Sequence, residues 1–145
     1  MRQQMDGSRL PKIAITDIDF ETLSRLGNAA LDSMPEVAEE LLGELDRAKI
    51  VLERLAKPKV VRMGSTLSYR TEDGTERRVT LVYPADADIS VGKVSIMTPI
   101  GAALIGLSEG QSITWANRSG KRQMLTVTSV EPPPVDNVDE AAKRA

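Results

Sequence analysis

The apolar residues of this chain change period once, and the change falls at Pro58. Before it, large apolar side chains recur at the three- and four-residue steps of a helix. After it they alternate, as they do along a half-buried strand. The two periods put side chains on incompatible faces, so the chain divides into a helical part and a β part. The division reads as a polar tail over residues 1–11, a helical hairpin over 12–59, a β-domain over 60–131 and a second tail over 132–145. The expected fold class is α+β, with an antiparallel helical hairpin ahead of an antiparallel β-domain that carries one short helix.

The first helix is predicted from about Asp17 to Leu31. Thr16 or Asp17 can cap it, Asp19 and Glu21 suit the positive end of its dipole, and Phe20, Leu23, Leu26 (or Gly27) and Ala30 form its apolar face. Ser33-Met34-Pro35-Glu36 then has the spacing of a capping box, with a proline in the first turn. Leu41, Leu45, Ala48, Leu52 and Leu55 follow at steps of 4, 3, 4 and 3, a heptad seam entered through Val37. That seam predicts a second helix from about Pro35 to Ala56, roughly 30 Å long, in a short coiled coil projecting from the β part.

Past Val60, Leu67 and Tyr69 alternate with polar residues, Asp73-Gly74 marks a turn, and Val79, Leu81 and Tyr83 alternate on the return. Val94 to Met97 reads as a short strand. Thr98 caps a brief helix opened by Pro99 and closed by Gly106. Strands carrying Ile113 and Trp115, and then Met124 to Val130, complete the β part before Pro132-Pro133-Pro134.

Chemistry is narrowed by what is missing. The chain has no Cys and no His, which removes disulfides, thiolate nucleophiles, imidazole acid–base work and the usual zinc sites. Aromatics are 3% of residues, too few for an aromatic-walled pocket or for base stacking, so neither a cofactor nor a direct nucleic-acid ligand is expected. No apolar run could span a bilayer, and the first residues lack a signal-peptide core; the expected setting is the cytoplasm, away from membranes, as a monomer. Net charge is −2, yet residues 12–59 hold ten acids against seven bases while residues 60–131 hold seven against eight.

Two places could carry function. Acids crowd the hairpin, with Asp32 and Glu36 at its bend beside Ser33. They suit a helix N-terminus and a solvated face, or they present an acidic tip to a hard cation or a basic channel. Met97-Thr98-Pro99-Ile100 form a corner where apolar side chains either fill the core or meet a partner.

The segments Arg78-Val79-Thr80-Leu81-Val82-Tyr83-Pro84, Ser95 through Leu107 and Glu109-Gly110-Gln111-Ser112-Ile113 resemble the C-terminal domain of the Gre transcript-cleavage factors. Together with Ile15-Thr16-Asp17-Ile18-Asp19 and Glu44-Leu45-Asp46-Arg47-Ala48, they resemble more closely the bacterial regulators of nucleoside diphosphate kinase. The resemblance covers roughly residues 12–131. It implies an FKBP-like β-domain and a coiled coil, RNA polymerase core as partner, and docking at the polymerase secondary channel partly through the corner at Met97-Thr98-Pro99. In Gre factors an Asp and a Glu three apart hold catalytic Mg²⁺ at the tip. Here Asp32 and Glu36 are four apart and split by Ser33-Met34-Pro35, and the arm is shorter. The expected function is therefore a non-catalytic polymerase-binding regulator that competes with Gre-type factors, linked to nucleoside diphosphate kinase control. Asp32 and Glu36 are only weak metal candidates. The alternative is a Mg²⁺-recruiting cleavage factor; a prolyl isomerase, which the fold name suggests, is poorly supplied with aromatics.

Overall fold

The computed structural model describes residues 10–116 and 119–134. Most of the two expected tails, and Asn117-Arg118, lie outside these.

The chain enters through β1 (Ala14–Thr16) and turns directly into α1 (Asp17–Ala29). Thr16 caps that helix, its side chain accepting from the Asp19 N–H at 3.1 Å. α2 (Pro35–Arg47) runs back beside α1. The two helices close tightly at Gly27, where a Cβ would lie 2.8 Å from a Leu42 methyl. At 1.5 Å per residue, each 13-residue helix is about 20 Å long.

Two expectations for α2 need correction. Its N-cap is Met34, with no side-chain cap bond, so the Ser33 capping box does not form. Proline prefers the first helical position, which sets Pro35 there and leaves Ser33 one residue too early. The helix also stops at Arg47 rather than near Ala56. Ala48 is already extended, and Lys49–Val51 form β2, which pairs in parallel with β1: Ala14 faces Lys49, Ile15 faces Ile50, Thr16 faces Val51. The heptad seam therefore runs only through Leu41 and Leu45. Leu52 and Leu55 leave it for a 3₁₀ turn (Glu53–Leu55) and are exposed. Isoleucine and valine favour the pleated state, and the pairing with β1 decides the matter.

The β part is a five-stranded sheet of β3 (Thr66–Thr71), β4 (Glu76–Val82), β5 (Lys93–Ser95), β6 (Ser112–Ala116) and β7 (Arg122–Glu131) in the order β5-β4-β3-β7-β6. It is mixed, not wholly antiparallel, because β5 runs parallel to β4. The crossover between them, residues 83–92, folds as two short 3₁₀ turns where the sequence suggests only a polar loop. After β5 the chain bends into α3 (Pro99–Leu104) and leaves it through Gly106, whose φ is +82°.

Hairpin and sheet share one core, so the expected coiled coil projecting from the β part is corrected: its seam leucines are buried together with the sheet's side chains. Leu23, Leu41 and Leu45 belong to the same buried cluster as Leu67, Leu81, Ile96, Leu104 and Leu125. α2 rests on α3, so the base of the hairpin lies along the β part, while residues 31–36 at the bend are all exposed. β1 is held on both sides, by β2 and by a bond from the Ala14 N–H to the Gly106 carbonyl at 3.2 Å. Among the described residues no helix is long and apolar enough to cross a membrane.

Candidate functional site

The corner from Ser95 to Gly101 is built by local hydrogen bonds. The Met97 N–H donates to the Ser95 hydroxyl at 2.9 Å. The Thr98 hydroxyl donates to the Ser95 carbonyl at 2.7 Å and accepts from the Gly101 N–H at 3.1 Å. One threonine thus satisfies a strand end and caps a helix, the arrangement its position before Pro99 suggests. Gly101 makes the bend possible: a Cβ there would sit 2.2 Å from the Ser95 carbonyl oxygen, inside any tolerable contact.

The corner's four side chains do not share one environment. Met97 is 5% exposed and sits in the core. Thr98, Pro99 and Ile100 are half-exposed and line an open cavity of about 660 Å³ with Trp115, Ile89 and Val94. Trp115 is the single aromatic among the cavity's described lining residues, and its indole Nε1 is buried with no hydrogen-bond partner among the described residues. Ile89, 83% exposed, projects from the crossover at the rim. The cavity can hold an apolar side chain under a fixed edge. Tyr69 lies in the core and Tyr83 packs at its border, so neither supplies a second aromatic wall.

Pro99 and Trp115 also border a smaller recess shared with α2, lined by Glu40, Glu44, Leu10 and Arg122. Burial raises the Glu44 carboxyl above its ordinary range, against the pull of Arg47, which reaches it at 2.7 Å. Burial also raises Glu40, helped by the like charges of Glu36 and Glu44. The acidic face of α2 therefore runs toward the corner.

At the bend, Asp32, Ser33 and Glu36 are exposed. Among the described residues, no three potential metal ligands come together, at the tip or elsewhere. The corner shares its recess with Glu40 and Glu44 of α2, and Asp32, Ser33 and Glu36 of the tip do not line it.

Sequence reasoning missed a third cluster, between the two parts. Asp19, expected only to favour the helix dipole, is 8% exposed and accepts the Met63 N–H at 3.2 Å. Burial raises its carboxyl, opposed by that hydrogen bond and by the nearby Arg62. Arg62 pairs with Glu53, and the Glu53 N–H donates to Asp17 Oδ1 at 3.0 Å. The first turn of α1 is thereby latched to the segment that enters the sheet. Only the Thr16-Asp17-x-Asp19 run hints at this, and capping alone would explain that run.

Comparison with known proteins assigns both parts. Residues 56–132 match the family model of the transcription elongation factor GreA/GreB C-terminal domain, and residues 11–51 match the Rnk N-terminus model. The chain is similar to the Escherichia coli K12 regulator of nucleoside diphosphate kinase, 39% identical over 123 residues, spanning 83% of this chain and 90% of that protein. It is also similar to the Xanthomonas campestris transcription elongation factor GreA, 35% identical over 92 residues, though there only 58% of the relative is covered. A solved GreA/GreB elongation factor from Nitrosomonas europaea superposes with a TM-score of 0.67 at 38% identity, covering 84% of this chain and 99% of that one.

Proposed function

Because the chain belongs to the family that joins a GreA/GreB-type C-terminal domain to an Rnk-type N-terminus, we propose that it is a non-catalytic regulator of transcription. In this reading it binds RNA polymerase core as a monomer in the cytoplasm, docks at the secondary channel and competes there with Gre-type factors. The observation that carries the reading is that the two family models together account for residues 11–51 and 56–132, nearly the whole described chain. Relatives at this level bear the names of regulators and elongation factors rather than enzymes.

The corner supplies the grip. Thr98, Pro99 and Ile100 present a rigid half-apolar edge beside a cavity, which suits an apolar anchor from a larger partner. The tip supplies the insertion, presenting Asp32, Ser33 and Glu36 without a third ligand nearby. Two carboxylates separated by a proline turn make a poor Mg²⁺ cradle, which favours occupancy of the channel over chemistry in it.

The test is competition for core polymerase between this protein and a GreA-type factor. The expected result is saturable binding that the factor displaces and that Pro99→Glu weakens by about 2 kcal/mol, a hot-spot-sized loss. Binding that Pro99→Glu and Ile100→Glu both leave intact sinks the docking edge. Stalled elongation complexes decide the alternative, a Mg²⁺-recruiting cleavage factor: shortening of their RNA by this protein, lost in Asp32→Ala, establishes cleavage.

A further inference from the structure

The stretch from Lys49 to Lys57 looks in sequence like the continuation of a coiled-coil seam, but it folds as a strand and a 3₁₀ turn on the surface. It has three unusual properties together. First, β2 is an open edge: β1 is its sole strand neighbour among the described residues. The Lys49 N–H donates to the Ile13 carbonyl at 3.0 Å, so the alternation of a parallel ladder turns the Ile50 N–H and carbonyl outward. Second, Ile50, Leu52 and Leu55 are 44%, 47% and 58% exposed along that short stretch. A recess of about 240 Å³, walled by Val51, Leu55 and Ala56, opens between Lys49 and Lys57. Third, Lys49, Arg54 and Lys57 are exposed and make no ion pair among the described residues, while the stretch's one acid, Glu53, is held by Arg62.

We propose that this edge docks an acidic, extended peptide segment of a partner protein. The segment adds a strand beside β2 through the Ile50 main-chain groups, sets one apolar side chain in the recess, and places carboxylates against Lys49, Arg54 and Lys57. Main-chain pairing supplies affinity and the alternate side chains supply specificity. A nucleic acid fits less well, because no aromatic stands in the stretch to stack a base and a strand edge offers nothing a phosphate backbone can pair along. Scattered exposed aliphatics need no explanation. Three of them on an unpaired edge whose one acid is already held by Arg62 do.

The inference does not depend on polymerase, and its test uses the isolated full-length chain. The probe is a short end-blocked peptide alternating valine with aspartate, titrated into isotope-labelled protein while amide shifts are followed. Expected shifts centre on Ile50 to Leu55, with the aspartate peptide binding roughly tenfold tighter than its asparagine counterpart. Ile50→Pro deletes the outward N–H while sparing the bonds to β1, and should weaken binding at least about tenfold. The pair Lys49→Glu and Lys57→Glu should do the same while leaving every main-chain N–H of β2 in place, so the proposal stays testable if the proline variant unfolds. Equal binding of an oligothymidylate of matched charge reduces the site to polyanion attraction and overturns the proposal. So does indifference to Ile50→Pro in a folded variant, or failure of the peptide to bind, which leaves Lys49 as a residue that merely blunts a strand edge.

Discussion

Two helices of this molecule open with a proline at or beside their first position, and the residues before those prolines behave in opposite ways. Thr98 caps α3 with its hydroxyl and ties that cap back to the end of β5. Met34 caps α2 with nothing. The corner is thus pinned by its own hydrogen bonds before any partner arrives, while the tip has a defined path but no side-chain lock. A surface that must grip gains from being preorganised, because ordering it on contact would cost affinity. A surface that only has to reach into a cavity needs length and charge. The contrast is consistent with the proposed division, docking at the corner and obstruction at the tip.

The largest expected effect breaks the corner outright. Gly101→Ala drives a methyl to 2.2 Å from the Ser95 carbonyl and should cost about 3 kcal/mol or more, read by urea denaturation. Next is the latch. Asp19→Ala leaves the Met63 N–H without its acceptor and should cost about 2 kcal/mol. If the latch only stabilises, polymerase affinity of the folded variant stays unchanged; if it sets the angle of the hairpin, affinity falls as well. The same residue carries a pH signature. Its carboxyl is raised in the fold, so the native state holds the proton longer than the unfolded chain, and stability must fall as pH climbs above 3.8 toward the elevated value. Asp19→Asn should flatten that part of a stability-against-pH curve.

Smaller effects sharpen the comparison. Thr98→Val keeps the shape, loses both hydroxyl bonds, and should cost about 1 kcal/mol while loosening the docking edge. Met34→Ser supplies the cap that α2 lacks and should add about 0.5 kcal/mol, measured as a raised melting temperature. Its effect on corner binding should be nil. A gain in polymerase binding from a stiffer tip would show that the division of labour is drawn in the wrong place.

What could be read from the sequence was what is local. Thr16 before Asp17-Ile18-Asp19, Thr98 before Pro99 and Gly106 after α3 each act within one helical turn, and each does in the structure what its residue type indicates. Apart from the Ser33 cap, which Pro35 displaces by one residue, the failures are distant. Nothing within residues 48–56 says that Lys49-Ile50-Val51 will find Ala14-Ile15-Thr16, and the leucines there keep helical spacing regardless. The parallel partnership of β4 and β5 likewise depends on where a crossover lands. Of the candidate site, Thr98, Pro99 and Ile100 emerge at an edge, whereas Met97 is drawn into the core, because a corner residue adjoining β5 must point one way or the other. Asp19 could not be recognised as a latch, since its acceptor role is defined by a backbone N–H from residue 63.

The parallel clasp of β1 and β2 has a mechanical consequence. It joins the start of α1 to the end of α2, so the arm's two legs cannot splay at the root. α2 in turn lies on α3, the helix that begins with Pro99. A sideways load at the bend is therefore carried as torque to the edge at Pro99, and any contact that holds that edge also fixes the direction in which the arm points.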